Sequence, residues 1–221
     1  MIQVFDLNVE GRELFSLSFG DIVPYFSVYT AVLAAFVVIF ILIAIFSLPE
    51  RQMNIVFGGD AYYAKEVNIP DMRFSRFMAI ACGAATLGAM VTGDIFNFTL
   101  FAVMVGITNI GIVAASGNRH VLNAAFQYGI VAMLATVPLF GGAALILGTT
   151  GSLSIWVLAG AGLVPLLAKA LLVLGVMGEG IAPLYIGKAE IIRAQGAPYV
   201  LMIHFSSLLL FLRVIEIVLV I

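Results

Sequence analysis

Every residue from Ala31 to Phe46 is apolar, and no charge interrupts the chain from Ile22 to Leu48. A helix of about 20 such residues crosses the hydrocarbon core of a bilayer. Inside that core the backbone has no water to bond, so a spanning segment must satisfy its own N–H and C=O groups. For segments of this length a helix does so. The same pattern recurs at Phe74 to Thr92, Phe96 to Ala115, Val121 to Leu147, from Pro165 onward, and Pro198 to Ile221. The expectation is an all-α polytopic membrane protein with about six transmembrane helices. Residues 1–21 read as a short extramembrane arm, a small hairpin on the membrane surface, and residues 22–221 as the transmembrane helical domain. At 63% hydrophobic and 10% charged, the composition belongs to a membrane chain. A net charge of −2 with no basic patch argues against a nucleic-acid partner. The start of the chain shows no basic segment leading into an apolar one, so no cleaved signal peptide is expected.

Punctuation divides the spans. Pro49 stops the first, and Glu50 to Arg73 forms the longest polar connection. The second span is rich in small residues (Ala79, Ala81, Gly83, Ala84, Ala85, Gly88, Ala89) that allow helices to approach closely. Gly93-Asp94 turns the chain into the third span, where Asp94 and Asn97 suit a helix cap. Pro138 should kink the fourth span. Ser152 to Ala159 reads as a short interfacial helix with Trp156 as its aromatic anchor. With the N-terminus outside, Arg51, Lys65, Arg73, Arg76, Arg119, Lys188 and Arg193 all fall on inner connections and only Arg12 outside. That asymmetry selects N-out and C-out in the cell membrane.

The richest stretch chemically is Pro165 to His204. Lys169 and Glu179 sit inside an apolar helix, Gly180 to Pro183 break it, and His204 lies in the helix that follows. Ionisable groups are costly in lipid and mark ion or proton paths by default, although charges near helix ends also simply reach for the interface. A helix break at membrane depth needs cover from protein or a water-filled cavity. The candidate ion path is therefore Lys169, Glu179 and His204, with Lys188 at the inner mouth and Gln127 able to bond a water chain. Arg213 and Glu216, spaced i,i+3, read as a structural pair. The single cysteine, Cys82, makes no internal disulfide and cannot by itself hold an iron–sulfur cluster. No catalytic residue, metal site or redox cofactor is read in this chain.

Several short motifs carry a resemblance. Arg73-Phe74-Ser75-Arg76-Phe77 and Gly93-Asp94-Ile95-Phe96-Asn97-Phe98 resemble the R-F-F-like start of one helix and the G-D-L-F-N-like turn into the next found in one family. That family is the antiporter-like membrane subunits of respiratory complex I, multisubunit Na⁺/H⁺ antiporters and group 4 energy-converting [NiFe]-hydrogenases. Ala124 to Tyr128 resembles its A-A-x-K-Y, Gly148 to Leu153 its G-A-T-G-S/T-L, and Gly196-Ala197-Pro198 followed by His204 its G-x-P-P-V-S-A-L-I-H region. The departures are specific. Val103 stands where the family has a glutamate, Gln127 where it has a lysine, and Glu179 where a lysine precedes the broken-helix proline.

The resemblance implies one five-helix antiporter-like unit with a broken fifth helix, plus one preceding helix. Family members normally carry two such units related by inversion. It further implies a non-catalytic subunit of an energy-converting hydrogenase complex, which helps couple redox chemistry to H⁺ or Na⁺ movement. The [NiFe] centre and iron–sulfur clusters would sit on partner subunits, and the partners would be other membrane subunits, hydrogenase subunits and the lipid bilayer. Alternatives are a non-conducting scaffold in such a complex, a subunit of a multisubunit cation/proton antiporter, and an antiparallel dimeric transporter. The basic-residue bias argues against the last.

Overall fold

The computed structural model describes residues 24–25, 27–48, 69–114, 119–161, 164–181, 188, 191 and 199–221. The expected N-terminal arm, the polar connection after the first span, and Pro183 lie outside the described residues. Seven helices are described: α1 (Val28–Phe46), α2 (Ile69–Val91), α3 (Ile95–Ala114), α4 (Arg119–Thr150), α5 (Ile155–Ala161), α6 (Leu166–Met177) and α7 (Tyr199–Val220). Five of them, α1, α2, α3, α4 and α7, are long and apolar enough to cross a membrane. The chain is an all-α, multi-pass membrane protein.

The helix ends follow local chemistry. Ser27 caps α1 by accepting from the Thr30 N–H at 3.0 Å. Arg76 donates to the Ala44 carbonyl at 3.0 Å and to that of Ile45, closing the last turn of α1. Helix α2 starts five residues before the expected Phe74. Pro70 fits a first turn and Asp71 faces the positive end of the helix dipole, so the helix extends past its apolar part. Asp94 caps α3 by accepting from the Asn97 N–H at 2.9 Å. The turn before α3 pairs with the turn before α5. Ile95 N–H donates to Leu153 at 3.0 Å and Ile155 N–H to Gly93 at 2.8 Å. The two turns carrying the Gly93-Asp94 and Gly148–Leu153 motifs are thus bonded to each other.

Helix α4 runs for 32 residues through Pro138. At 1.5 Å per residue it is about 48 Å long, well beyond a hydrocarbon core of about 30 Å. Helix α6 is the opposite case. Its 12 residues reach only about 18 Å, so it stops inside the membrane. The stop is built from glycine: Gly180 takes φ +91°, a left-handed value that glycine adopts freely. Ile181 N–H then bonds back to the Met177 carbonyl at 3.0 Å.

Packing inverts that of a soluble protein. Phe77, Ile107, Phe126, Leu134 and Val137 are more than half exposed and form an outer apolar surface suited to lipid or neighbouring subunits. The interior is lined by small and polar side chains. On α2, Gly83 lies against Ile41 of α1 and Met202 of α7, and Gly88 against Phe101 of α3. Helix α7 is the central post, touching α1, α2, α3, α5 and α6. Helices α4 and α6 meet most closely where a Cβ on Gly175 would stand 2.9 Å from the Leu139 backbone nitrogen and 3.0 Å from the Ala135 carbonyl oxygen.

Backbone cannot move aside for a methyl group. Gly175→Ala is therefore expected to lose about 1–3 kcal/mol by overpacking. Gly141→Ala, where a Cβ meets nothing within 4 Å, should be neutral or slightly stabilising. Thermal unfolding in detergent, followed by circular dichroism, measures both.

Candidate functional site

A helix ending in hydrocarbon leaves carbonyls without partners, and that deficit organises the first buried polar cluster. The Glu179 carbonyl, at the end of α6, accepts from Lys188 Nζ at 3.0 Å and from Ser207 Oγ of α7 at 2.9 Å. Lys188 also hydrogen-bonds Ser207 directly and lies over the Tyr128 ring, 5.8 Å from its centroid. Lys188 thus serves the backbone of the break and not the Glu179 carboxylate. Both residues are 1% exposed.

The carboxylate of Glu179 points the other way, toward α3 and α4. Tyr128 Oη of α4 donates to its Oε2 at 2.8 Å. Having used its only proton there, Tyr128 accepts from Asn109 Nδ2 of α3 at 3.2 Å. That fixes the amide orientation, so Asn109 Oδ1 faces Cys82 Sγ of α2 at 3.2 Å and Ser206 Oγ of α7 at 3.4 Å. Every donor in this chain is directed toward Glu179. The cluster joins four long helices to the break and sits near mid-depth. Tyr128 is nine residues into α4 and Cys82 nine residues from the far end of α2, roughly 14 Å in each case.

Glu179 also forms part of the wall of a cavity of about 40 Å³ between α3 and α4, lined mainly by Val103, Gly106, Gly129, Ala132 and Met133. The space is enough for water. Gly106 keeps it open: a Cβ there would stand 2.9 Å from Glu179 Oε1. No described side chain donates to Oε1, and Met133 at the cavity edge is exposed.

The remaining sequence candidates are scattered. Lys169 Nζ donates to the Val218 carbonyl at 3.3 Å, one of the last carbonyls of α7, and so acts as a helix-end cap remote from Glu179. His204 is partly buried, and its Nε2 has no hydrogen-bond partner among the described residues. Gln127 is on the exposed side of α4, while the next residue, Tyr128, faces inward. Pro183 lies outside the described residues. Arg213 and Glu216 form a second cluster toward the opposite end of the bundle, with Arg213 Nη1 2.5 Å from Glu216 Oε2. Thr30 receives a bond from Arg213 at 2.9 Å and lies 2.9 Å from Glu216 Oε1. Arg213 Nη2 donates to the Thr92 carbonyl at 2.9 Å, and Ser27 bonds Glu216. The guanidinium lies 5.3 Å from the Tyr25 ring, which in turn packs on Trp156. Trp156 Nε1 donates to the Pro24 carbonyl at 3.3 Å, tying α5 to the segment before α1.

Sequence reasoning did not single out Tyr128, Asn109, Ser206 or Ser207 for this cluster. Their signal was a lone amide in α3 and a serine pair in α7, polar groups in the middle of apolar spans. Among the described residues, no group of three or more His, Cys, Asp and Glu side chains gathers as a metal-ligand set.

Comparison with known proteins covers nearly the whole chain. The model of a family described as NADH dehydrogenase I, subunit N related protein matches residues 4–221. An uncharacterized protein of Methanocaldococcus jannaschii is 47% identical over 202 residues, 91% of this chain and 93% of that protein. No solved structure matches the chain significantly.

The second cluster makes a clear energetic prediction. Arg213→Met strands the Glu216 carboxylate without its cation and should lose about 3–5 kcal/mol. The double change Arg213→Met with Glu216→Leu should recover much of that loss. Unfolding midpoints of the two single variants and the double variant, compared as a cycle, measure the coupling.

Proposed function

The chain belongs to the NADH dehydrogenase I subunit N related family, and we propose on that premise that it is an ion-coupling membrane subunit of an energy-converting hydrogenase complex. The family makes it a membrane subunit of a complex I-like, multisubunit assembly. The finer reading is that redox chemistry on partner subunits, which hold the [NiFe] centre and iron–sulfur clusters, drives H⁺ or Na⁺ movement to which this chain contributes. Within that class, a single antiporter-like unit fits one of the small membrane subunits of the Eha-type hydrogenase of methanogens. The N- and C-termini lie outside in this proposal, because Arg73, Arg76 and Arg119 cluster at the ends of the helices that would face inward.

One observation carries the reading: the Glu179 carboxylate is buried at mid-depth, beside a helix break, with no cation on it among the described residues, and open to a cavity able to hold water. A structural carboxylate in lipid would be expected to have a full set of partners, as Glu216 does with Arg213, Thr30 and Ser27. Glu179 instead has one donor and an open side, the arrangement of a group that gains and loses a proton or meets a cation. Lys188 and Ser207 hold the break rigid, which keeps the carboxylate in register with Tyr128.

The scaffold alternative has its own support. Lys169 caps α7, Gln127 is exposed, and Val103 and Gly106 fill the α3 wall with no charge. The axis read from sequence is therefore not continuous through the described residues.

The two readings separate on one substitution. In native membrane vesicles carrying the assembled complex, Glu179→Gln should reduce redox-driven ion uptake about ten-fold or more while leaving subunit composition unchanged. Lys169→Ala should leave uptake near wild type. Full uptake in the assembled Glu179→Gln complex would make the chain a scaffold.

A further inference from the structure

The buried chain of donors that ends on Glu179 looks like a route for protons, but one of its members cannot relay them. A hydroxyl or carboxyl group accepts a proton on one side and releases another. An amide accepts at oxygen and donates from nitrogen, and passing a proton through it requires an unfavourable tautomer. Asn109 is that amide. It stands between Tyr128, at 3.2 Å, and the Cys82 and Ser206 pair, at 3.2 and 3.4 Å. It is fully buried and joins three other helices through its two ends.

We propose that Asn109 is a positioning residue that insulates Glu179. It holds the Tyr128 hydroxyl on the carboxylate and closes the route from Glu179 into the bundle. The cavity between α3 and α4 is then the side on which Glu179 exchanges its proton. The inference rests on the reading of Glu179 as an exchanging carboxylate and adds the direction of exchange and the residue that sets it. Cys82 and Ser206 lie behind the insulator, and both are fully buried. Gly106, Gly129 and Ala132 have small side chains where bulk would seal the open side. The free Oε1 edge of Glu179, against which a Gly106 Cβ would press at 2.9 Å, is the edge that water reaches.

The single cysteine provides the reporter, since its S–H stretch has one possible origin. The full-length protein in lipid nanodiscs is transferred into D₂O under acidic conditions. Infrared spectra then follow the Cys82 S–H band and the Glu179 carboxyl band, the latter assigned by its loss in Glu179→Gln. The expected result is exchange at Glu179 about ten-fold faster than at Cys82 or more. Ala132→Leu, which fills the cavity, should slow Glu179. Asn109→Asp, the same shape with a group that relays protons, should bring the Cys82 rate up toward that of Glu179. Equal rates in the unsubstituted protein overturn the proposal, with no variant needed. So does slow Cys82 exchange in a folded Asn109→Asp protein, or unchanged Glu179 exchange in a folded Ala132→Leu protein. Fast Cys82 exchange combined with loss of ion uptake in Glu179→Gln would remove the insulator and leave the coupling function standing.

Discussion

The structure turns on the cost of a broken helix in hydrocarbon. Helix α6 ends at mid-depth, and its carbonyls need donors that lipid does not supply. The chain brings Lys188 and Ser207 to the Glu179 carbonyl, and that local solution fixes much else. It draws α7 into the centre of the bundle and places an ammonium group at mid-membrane. It also leaves the Glu179 side chain directed at α3 and α4. Gly175 and Gly178 let α6 sit directly on α4 beside Ala135 and Leu139, so the break is covered on that face by backbone and small side chains.

Two polar clusters divide the work along α7. Near the end where α1 begins, Arg213 and Glu216 satisfy each other and gather Thr30, Ser27 and the Thr92 carbonyl. Every strong acceptor there has a donor, which suits a fixed joint. About 10 Å along the helix, Ser206 and Ser207 belong to a cluster whose acidic member keeps an open side. Contrast between the two is the physical ground for assigning structure to one and exchange to the other. Buried charge in both is compatible with a single chain because neighbours on five helices share the cost of desolvation.

Much of the fold was legible in the sequence because the hydrocarbon core imposes a length and a polarity on each span. Boundaries differed where other signals compete: Pro70 and Asp71 start α2 outside its apolar part, and α4 runs past Leu147 to Thr150. The break was legible because a carboxylate next to glycines has few other meanings in an apolar stretch. The rest of the site was harder to read for two reasons. Neutral polar residues such as Asn109 and Ser206 hardly disturb a hydropathy pattern. Adjacent residues on a helix also point about 100° apart, so one position decides between Gln127 on the outside and Tyr128 at the carboxylate. The buried series Ala124, Tyr128, Ala132 and Ala135 contains that answer, but as small residues rather than large apolar ones. Lys169 was ambiguous for a different reason. Its role as a cap depends on the end of α7, nearly fifty residues further along, at Val218.

The central claim is that Glu179 changes protonation or cation partnership while the complex works. The most direct measurement is an infrared difference spectrum of the intact complex in lipid, recorded between its oxidised and reduced states. The account predicts a carboxyl band that changes with redox state and disappears in a Glu179→Gln complex that still assembles. A difference spectrum with no carboxyl change assignable to Glu179 would contradict it.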